Sequence, residues 1–512
     1  MAGYTATVGR ATAHPSSGRV DELAEKSERG VSLVAVNASP SAPTPPSHGP
    51  AGTDAAFRAH DAAVAELSRS YAELPPGAPV RLAKPTSNLF RFREPASAPG
   101  LDVSRFNQVL RVDPDSRTAD VQGMTTYEDL VAATLPYGLM PLVVPQLKTI
   151  TLGGAVTGLG IESSSFRNGL PHESVTEMQI LTGDGQIVVA RPEGEHRDLF
   201  HGFPNSYGTL GYSLRLTIEL EPVKPYVRLR HVRFRDEGAC MTAIAEICGS
   251  ASYDGEPVDF IDGVAFEPGE LYLTLADFTD DAPWVSDYTG QRIFYRSLPQ
   301  HRVDYLTVHD YLWRWDTDWF WCSRAFGVQR PLVRALWPRR YQRSDVYRRL
   351  VALDHRHGLM ARVDRVRGAP QLEKVIQDIE VAVDRGAEFL DFFHRDVGMR
   401  PVWMCPLRLR RPSGGTPRTW PLYPLDPETL YVNFGFWGTV PLTGGQVDGH
   451  HNRLVEEAVS SLGGHKSLYS TAFYAEDEFW SLYNGPAYQA LKKRYDADGR
   501  LLDLYDKTVR SR

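Results

Sequence analysis

Between Ala55 and Leu74 apolar residues recur at helical spacing, which places Phe57, Ala62, Val64, Leu67 and Tyr71 on one predicted face. From Arg81 to Pro222 the pattern changes to short runs divided by Gly, Pro and Asp. Val109 to Gln122 predicts two strands around the turn Asp113-Pro114-Asp115-Ser116. A short helix follows, entered by a threonine and ended near Pro136 and Gly138, and then an apolar strand. Val175, Met178 and Ile180, a Gly183-Asp184-Gly185 turn, and Ile187 to Val189 form a predicted hairpin. Leu214, Leu216, Ile218 and Leu220 then alternate as in a half-buried strand. From Lys224 to Val440 helices and strands mix irregularly and aromatics are dense. Beyond Gln446 the pattern is helical. Nowhere do strands and helices alternate as in a doubly wound sheet, so the class is α+β.

At 512 residues the chain exceeds one ordinary core, and two or three packed units are expected. The 42% hydrophobic and 23% charged fractions suit a globular protein. A net charge of −7, with both signs spread throughout, argues against nucleic acid as a partner. The first 55 residues are rich in Ala, Pro, Ser and Gly and read as a flexible tail. No apolar run is long enough for a transmembrane helix. Cys240, Cys248, Cys322 and Cys405 lack disulfide or metal spacing, which fits buried thiols in a reducing compartment. No metal site is expected, since His450-His451 reads as a solvated pair in a polar loop.

The most informative stretch runs from Leu147 to His172. Gly153, Gly154, Gly158, Gly160 and Gly169 fall in a window whose only charged side chains, apart from His172, are Lys148, Glu162 and Arg167. Glycines permit positive φ and close backbone approach, and successive N–H groups can then cradle a pyrophosphate. Thr149, Thr151 and Ser163 to Ser165 add hydroxyl donors. By itself such a cluster is as consistent with tight surface turns. The strand–GxGxxG–helix dinucleotide fingerprint is absent.

The wording TLGGAVTGLGIESSSFRNGL, with DLFHGFPNSYGTLGYSLRLTIEL and the later PVWMCPLRLR and LYSTAFYAEDEFW, resembles the Δ24-sterol reductases. Those are flavoproteins of the vanillyl-alcohol-oxidase (PCMH-type) superfamily. The resemblance implies a two-part FAD-binding domain over 56–225 and a mixed α/β cap or substrate domain over 226–440. A C-terminal segment, 441–512, would return to the FAD domain. It further implies flavin contacts at Lys84, Pro85, Thr86, Thr149, Thr151, Gly153, Gly154, Gly158, Gly160, Ile161, Glu162, Ser163, Ser164 and His172. Many superfamily members link the flavin through a Gly-Gly-His loop. This chain has Lys84-Pro85-Thr86-Ser87-Asn88 there, so the FAD is expected to be non-covalent.

An isolated alkene is reduced by a proton on one carbon and a hydride on the other, which demands an acid in a water-poor pocket. Glu162, Tyr469 and Tyr474 are the candidate acids, each weighed against a packing role. NADPH or NADH is the expected electron donor. The resemblance implies a sterol Δ24 side chain. The Ala-, Arg-, Pro- and Gly-rich composition, as in a high-GC bacterium, points instead to a methylene-branched fatty acyl chain (10-methylene to 10-methyl). The alternative is an FAD-dependent oxidase or dehydrogenase of a sugar alcohol, lactone or lipid-linked sugar. Residues 310–349 interleave Trp with Arg, a composition suited to peripheral contact with the inner face of a membrane by a cytoplasmic protein. The competing reading of that stretch is a cap-domain core beside a basic helix.

Overall fold

The computed structural model describes residues 50–84, 90–91, 100–290, 292–357, 371–411 and 418–510. The tail reading for residues 1–49, and the flavin contacts expected at Pro85 and Thr86, lie outside these. Helix α1 (Pro50–Ala72) already covers the last residues assigned to the tail. Its buried face is His60, Ala63, Leu67 and Tyr71, whereas Ala62 is exposed. His60 displaces the expected register because its ring bonds Gln179 and Gln122 on the strands beneath.

The first sheet has strands β1 (Val109–Asp113), β2 (Thr118–Gln122), β3 (Leu139–Pro141), β4 (Val175–Leu181), β5 (Ile187–Ala190) and β6 (Tyr212–Pro222). They pair antiparallel in the order β1-β2-β6-β4-β5, with β3 also on β6. The turn between β1 and β2 is held by the Asp113 carboxylate, which accepts from the Asp115 and Ser116 N–H groups. Helix α2 (Tyr127–Thr134) starts where the Thr126 hydroxyl accepts from the Asp129 N–H, and Gly138 follows it at φ 67°. In β6, Leu214, Leu216, Ile218 and Leu220 are buried at alternate positions. Helices α3 (Leu152–Thr157) and α4 (Arg197–Gly202) pack beside this sheet.

Three residues after β6 the chain enters a second, eight-stranded antiparallel sheet. Its strands are β7 (Tyr226–Phe234), β8 (Phe260–Glu267), β9 (Glu270–Thr279), β10 (Val303–Thr307), β11 (Leu372–Ala382), β12 (Val402–Leu407), β13 (Tyr431–Pro441) and β14 (His465–Lys466). They run in the order β10-β7-β9-β8-β12-β13-β11-β14. Alternate side chains go to opposite cores. Met404 joins the cluster under helices α5 (Glu237–Ser250), α7 (Gly386–Phe392) and α8 (His450–Ser461), while Trp403 and Cys405 face the first sheet. Helix α6 (Pro331–Leu336) lies between α5 and α7 in sequence. The C-terminal segment divides its contacts. Strand β14 extends the second sheet, whereas α9 (Gly485–Tyr495) packs on α4.

The tryptophan-rich stretch is core rather than a membrane-facing surface. Trp313, Trp315, Trp319 and Trp321 are all buried. Arg314 lies inside with them, 2.8 Å from Asp262, which also accepts from the Trp315 indole at 3.0 Å. Arg334 is likewise buried on Asp318 at 2.7 Å. His451 is not a solvated loop residue either. It lies in the first turn of α8, buried, with its ring and N–H on the Glu373 carboxylate at 2.9 Å. Among the described residues, no group of His, Cys, Asp and Glu could hold a metal ion, and no helix is long and apolar enough to cross a membrane.

Candidate active site

A cleft of about 490 Å³ is lined by both sheets. Its first wall comes from Val80 to Lys84, Gly123, Met124, the run Pro145 to Glu162, and Tyr207 to Ser213. In the run Pro145 to Glu162 the glycines act by close approach rather than by positive φ, whereas Gly208 on the same wall has φ of 75°. Of the five noted in the sequence, only Gly169 has φ in the left-handed region, and it does not line the cleft. A Cβ on Gly153 would stand 2.4 Å from Ser213 Oγ and 2.7 Å from the Gly123 carbonyl oxygen. Gly153 therefore lets α3 sit against the first sheet and bring its backbone to the cleft. Thr151 caps α3, its hydroxyl accepting from the Gly154 N–H at 3.2 Å.

The second wall is aromatic. Trp319, Phe320, Trp403, Trp437 and Tyr469 line it with Asp378 and Ser467. Phe320 stacks on Trp437 with centroids 4.3 Å apart and on Trp315 at 5.0 Å. Trp319 and Phe320 have φ of 46° and 59°, and Tyr207 across the cleft has φ of 51°. Bulky side chains in that region carry about 1–3 kcal/mol of strain each, a cost concentrated where function requires a fixed orientation. Trp319 is held there by Phe90, stacked at 5.4 Å.

Two acids face this space from opposite walls. Glu162 is buried, and its carboxylate accepts from the Gln146 N–H at 2.8 Å. Burial pushes its pKa well above the usual carboxylate range, against the pull of Arg314 and Gln146. Asp378 on β11 accepts from the Asn433 amide at 3.1 Å and shares a hydrogen bond with the Tyr469 phenol. Burial raises Asp378 to about 6. Tyr469 also accepts from the Trp437 indole at 2.8 Å, and burial with the nearby Asp378 keeps the phenol protonated. Glu380, two residues along the same strand, is raised to about 8 by burial.

Of the residues singled out in the sequence, Lys84, Thr149, Thr151, Gly153, Gly154, Gly158, Gly160, Ile161, Glu162 and Tyr469 line the cleft. Ser163, Ser164, His172 and Tyr474 do not. Ser163 Oγ pairs with the Tyr311 phenol at 3.0 Å, and its carbonyl accepts from the Ile261 N–H at 2.8 Å. Ser164 Oγ donates to the Leu142 carbonyl at 2.8 Å. These serines fasten the first sheet's loops, and Ser163 also ties them to the second sheet. His172 lies edge-on to Trp420 at 4.4 Å, lowered by burial to about 3 and hence neutral. Tyr474 is buried against Tyr483, with centroids 6.2 Å apart. Asp378 went unnoticed in the sequence reading. The available signal was Asp378 and Glu380, two acids at alternate positions interleaved with Ile376, Ile379 and Val381 in a strand.

Residues 62–191 match the family model described as an FAD binding domain. This span holds most of the glycine wall and none of the aromatic one. The chain carries a PCMH-type FAD-binding domain. It is similar over 453 residues to a Delta(24)-sterol reductase of Arabidopsis thaliana, at 25% identity, covering 80% of this chain and 77% of that protein. The human Delta(24)-sterol reductase is 25% identical over 430 residues, with 80% and 76% covered. Cytokinin dehydrogenase 9 of rice matches at 32%, over 131 residues and a quarter of each chain. The domain is thus distantly related to the sterol reductases, and the protein is an FAD-dependent oxidoreductase.

The cleft fits that cofactor. Arg81 and Lys84 from one segment and Lys507 from the C-terminal one bring three cations to its lining, a charge suited to a diphosphate. The buried Gln146 carboxamide oxygen has no protein hydrogen-bond partner, and so offers an acceptor to a polar ligand. Among the described lining residues there is no histidine or cysteine to form a covalent link.

Proposed function

We propose that the protein reduces an isolated carbon–carbon double bond in a lipid, with NADPH or NADH as electron donor and FAD held non-covalently. The observation that carries this reading is the aromatic wall, whose polar side chains are confined to the Tyr469–Asp378–Ser467 group and the indole N–H of Trp437. Bound FAD, once reduced, supplies a hydride to one alkene carbon. The protein supplies the proton for the other. Tyr469 donates it, and Asp378, sharing a hydrogen bond with the phenol, replaces it from its own carboxyl group. Trp319, Phe320, Trp403 and Trp437 exclude water, so that a tertiary cation formed on protonation meets hydride before solvent. Glu162 sits on the glycine wall with its carboxyl engaged by Gln146 and serves to position the cofactor.

A methylene-branched acyl chain is the preferred substrate within this class, and a sterol Δ24 side chain is the alternative. Both yield tertiary cations. The similarity to proteins named Delta(24)-sterol reductase supports reduction of an alkene over oxidation of an alcohol. Anaerobic absorbance spectroscopy tests the reading. NADPH should bleach the oxidised flavin, and a methylene-branched phospholipid or a Δ24-sterol should restore its colour. A flavin bleached by a sugar alcohol and indifferent to NADPH would overturn it.

A further inference from the structure

The tryptophans of residues 310–349 are internal, but the next turn of chain is not. Leu332 and Leu336 on α6 are 81% and 85% exposed, the two most exposed large apolar side chains among the described residues. They are four residues apart and therefore share one face of the helix. The opposite face is anchored. Arg334 is buried, with its guanidinium on both carboxylate oxygens of Asp318 at 2.7 and 3.0 Å and on the carbonyls of Gly290 and Arg292 at 3.0 and 3.1 Å. The leucines are thus held outward by a fixed helix rather than by a loose loop.

Behind α6 lies a second pocket, of about 480 Å³, which Pro331 and Arg334 line from the helix itself. Arg292, Arg296 and His301 line it as well, and there is no carboxylate among its described lining residues. Arg292 and Arg296 are exposed, the latter steadied by Gln329 at 2.8 Å. Arg330, Arg339 and Arg340 are exposed around the helix, with Asp287 the nearby acid, 3.9 Å from Arg339. At the helix end, Trp337 packs on the small cluster of Trp319, Val328 and Tyr347, and Trp319 lines the active-site cleft.

We propose that α6 and this basic pocket form a docking site for an anionic lipid bilayer. Leu332 and Leu336 enter the acyl region while Arg292, Arg296 and the flanking arginines meet headgroup phosphates. An exposed leucine pair alone, or a basic pocket alone, would fit many partners. Their sharing of one anchored helix matches the layered chemistry of a membrane surface, apolar beneath and anionic above. The site is independent of which reaction the cleft catalyses, though it places a lipid surface next to the cluster that forms part of the cleft wall.

Vesicle flotation of the full-length, FAD-loaded protein tests this. It should float with equimolar phosphatidylglycerol–phosphatidylcholine vesicles and stay behind with phosphatidylcholine alone. The variants Leu332→Ser/Leu336→Ser and Arg292→Glu/Arg296→Glu should each lower binding on the order of tenfold or more, with flavin absorbance and reduction by NADPH unchanged. Three results would overturn the proposal. One is equal flotation of wild type and both variants. Another is inorganic phosphate binding that Arg292→Glu/Arg296→Glu abolishes, without vesicle binding, which would make the pocket a site for a soluble anion. The third is a dimer in sedimentation equilibrium that Leu332→Ser/Leu336→Ser dissolves, which would assign the leucines to a second copy of the chain.

Discussion

The two walls of the cleft are built on opposite plans. The glycine wall is largely one contiguous run, Pro145 to Glu162, pressed against the first sheet, and it works by lacking side chains. The aromatic wall gathers Trp319, Phe320, Asp378, Trp403, Trp437 and Tyr469 from distant parts of the chain, and it works by having large ones. A wall that presents backbone to a cofactor needs close approach, which a local sequence can encode. A wall that shapes a substrate and places a proton needs groups aligned by strand register, here β11, β12 and β13 side by side. Under the proposed function, the difference makes cofactor binding and substrate chemistry separable in this molecule.

That separation can be broken by mutation. Asp378→Asn and Tyr469→Phe should slow reoxidation of reduced flavin by the alkene about 10²- to 10⁴-fold, while bound flavin and the rate of reduction by NADPH stay near wild type. Loss of flavin from either variant would show that the walls are not independent. Arg314→Met leaves the buried Asp262 carboxylate without its cation and should lower stability by about 3–5 kcal/mol in chemical denaturation. A change on the glycine wall itself is smaller in energy but specific to the cofactor. Gly153→Ala forces a Cβ against Ser213 and the Gly123 carbonyl, so about 1–3 kcal/mol of stability should go, together with the flavin absorbance of the purified protein.

The gentlest test is pH. The Asp378 carboxyl is raised to about 6, so the proton it carries is present below that pH and lost above it. The alkene-dependent rate should therefore fall as pH rises through about 6, and Asp378→Asn should flatten the profile. Reduction by NADPH should show no such dependence. A profile that is unchanged in Asp378→Asn would move the proton source to Glu162.

How much was legible in the sequence follows the same division. The hairpins, the alternating strand from Leu214 to Leu220 and the glycine run are local patterns, and each formed where its periodicity or turn chemistry placed it. Within that run the sequence allowed both positive φ and close approach, and the structure uses the second, because glycine chosen for packing and glycine chosen for positive φ look alike in one dimension. Ser163, Ser164 and His172 were misjudged for a related reason. Polar residues beside a cofactor segment can face it or fasten it, and the pairing of Ser163 with Tyr311 spans 148 residues. The tryptophans of 313–321 mimic an interfacial motif because an indole beside a guanidinium suits both a headgroup layer and a buried ion pair. Asp262, 52 residues before Arg314, decides between them.

The order of pairing in the second sheet bears on how the chain is made. The first sheet is complete once residue 222 has been synthesised, because all its strands lie within residues 109–222. Strand β8 then waits for β12, and the contact between Asp262 and Trp403 closes a loop of 141 residues. Non-local pairing of this kind is slow and leaves strand edges and apolar faces uncovered in the meantime. A nascent chain stalled before Val402 would carry a finished first sheet beside an unsatisfied β8–β9 hairpin. Chaperone demand during synthesis should therefore fall on residues 260–441, and supplying riboflavin to an expression host should rescue the yield of first-half variants more readily than that of second-half ones.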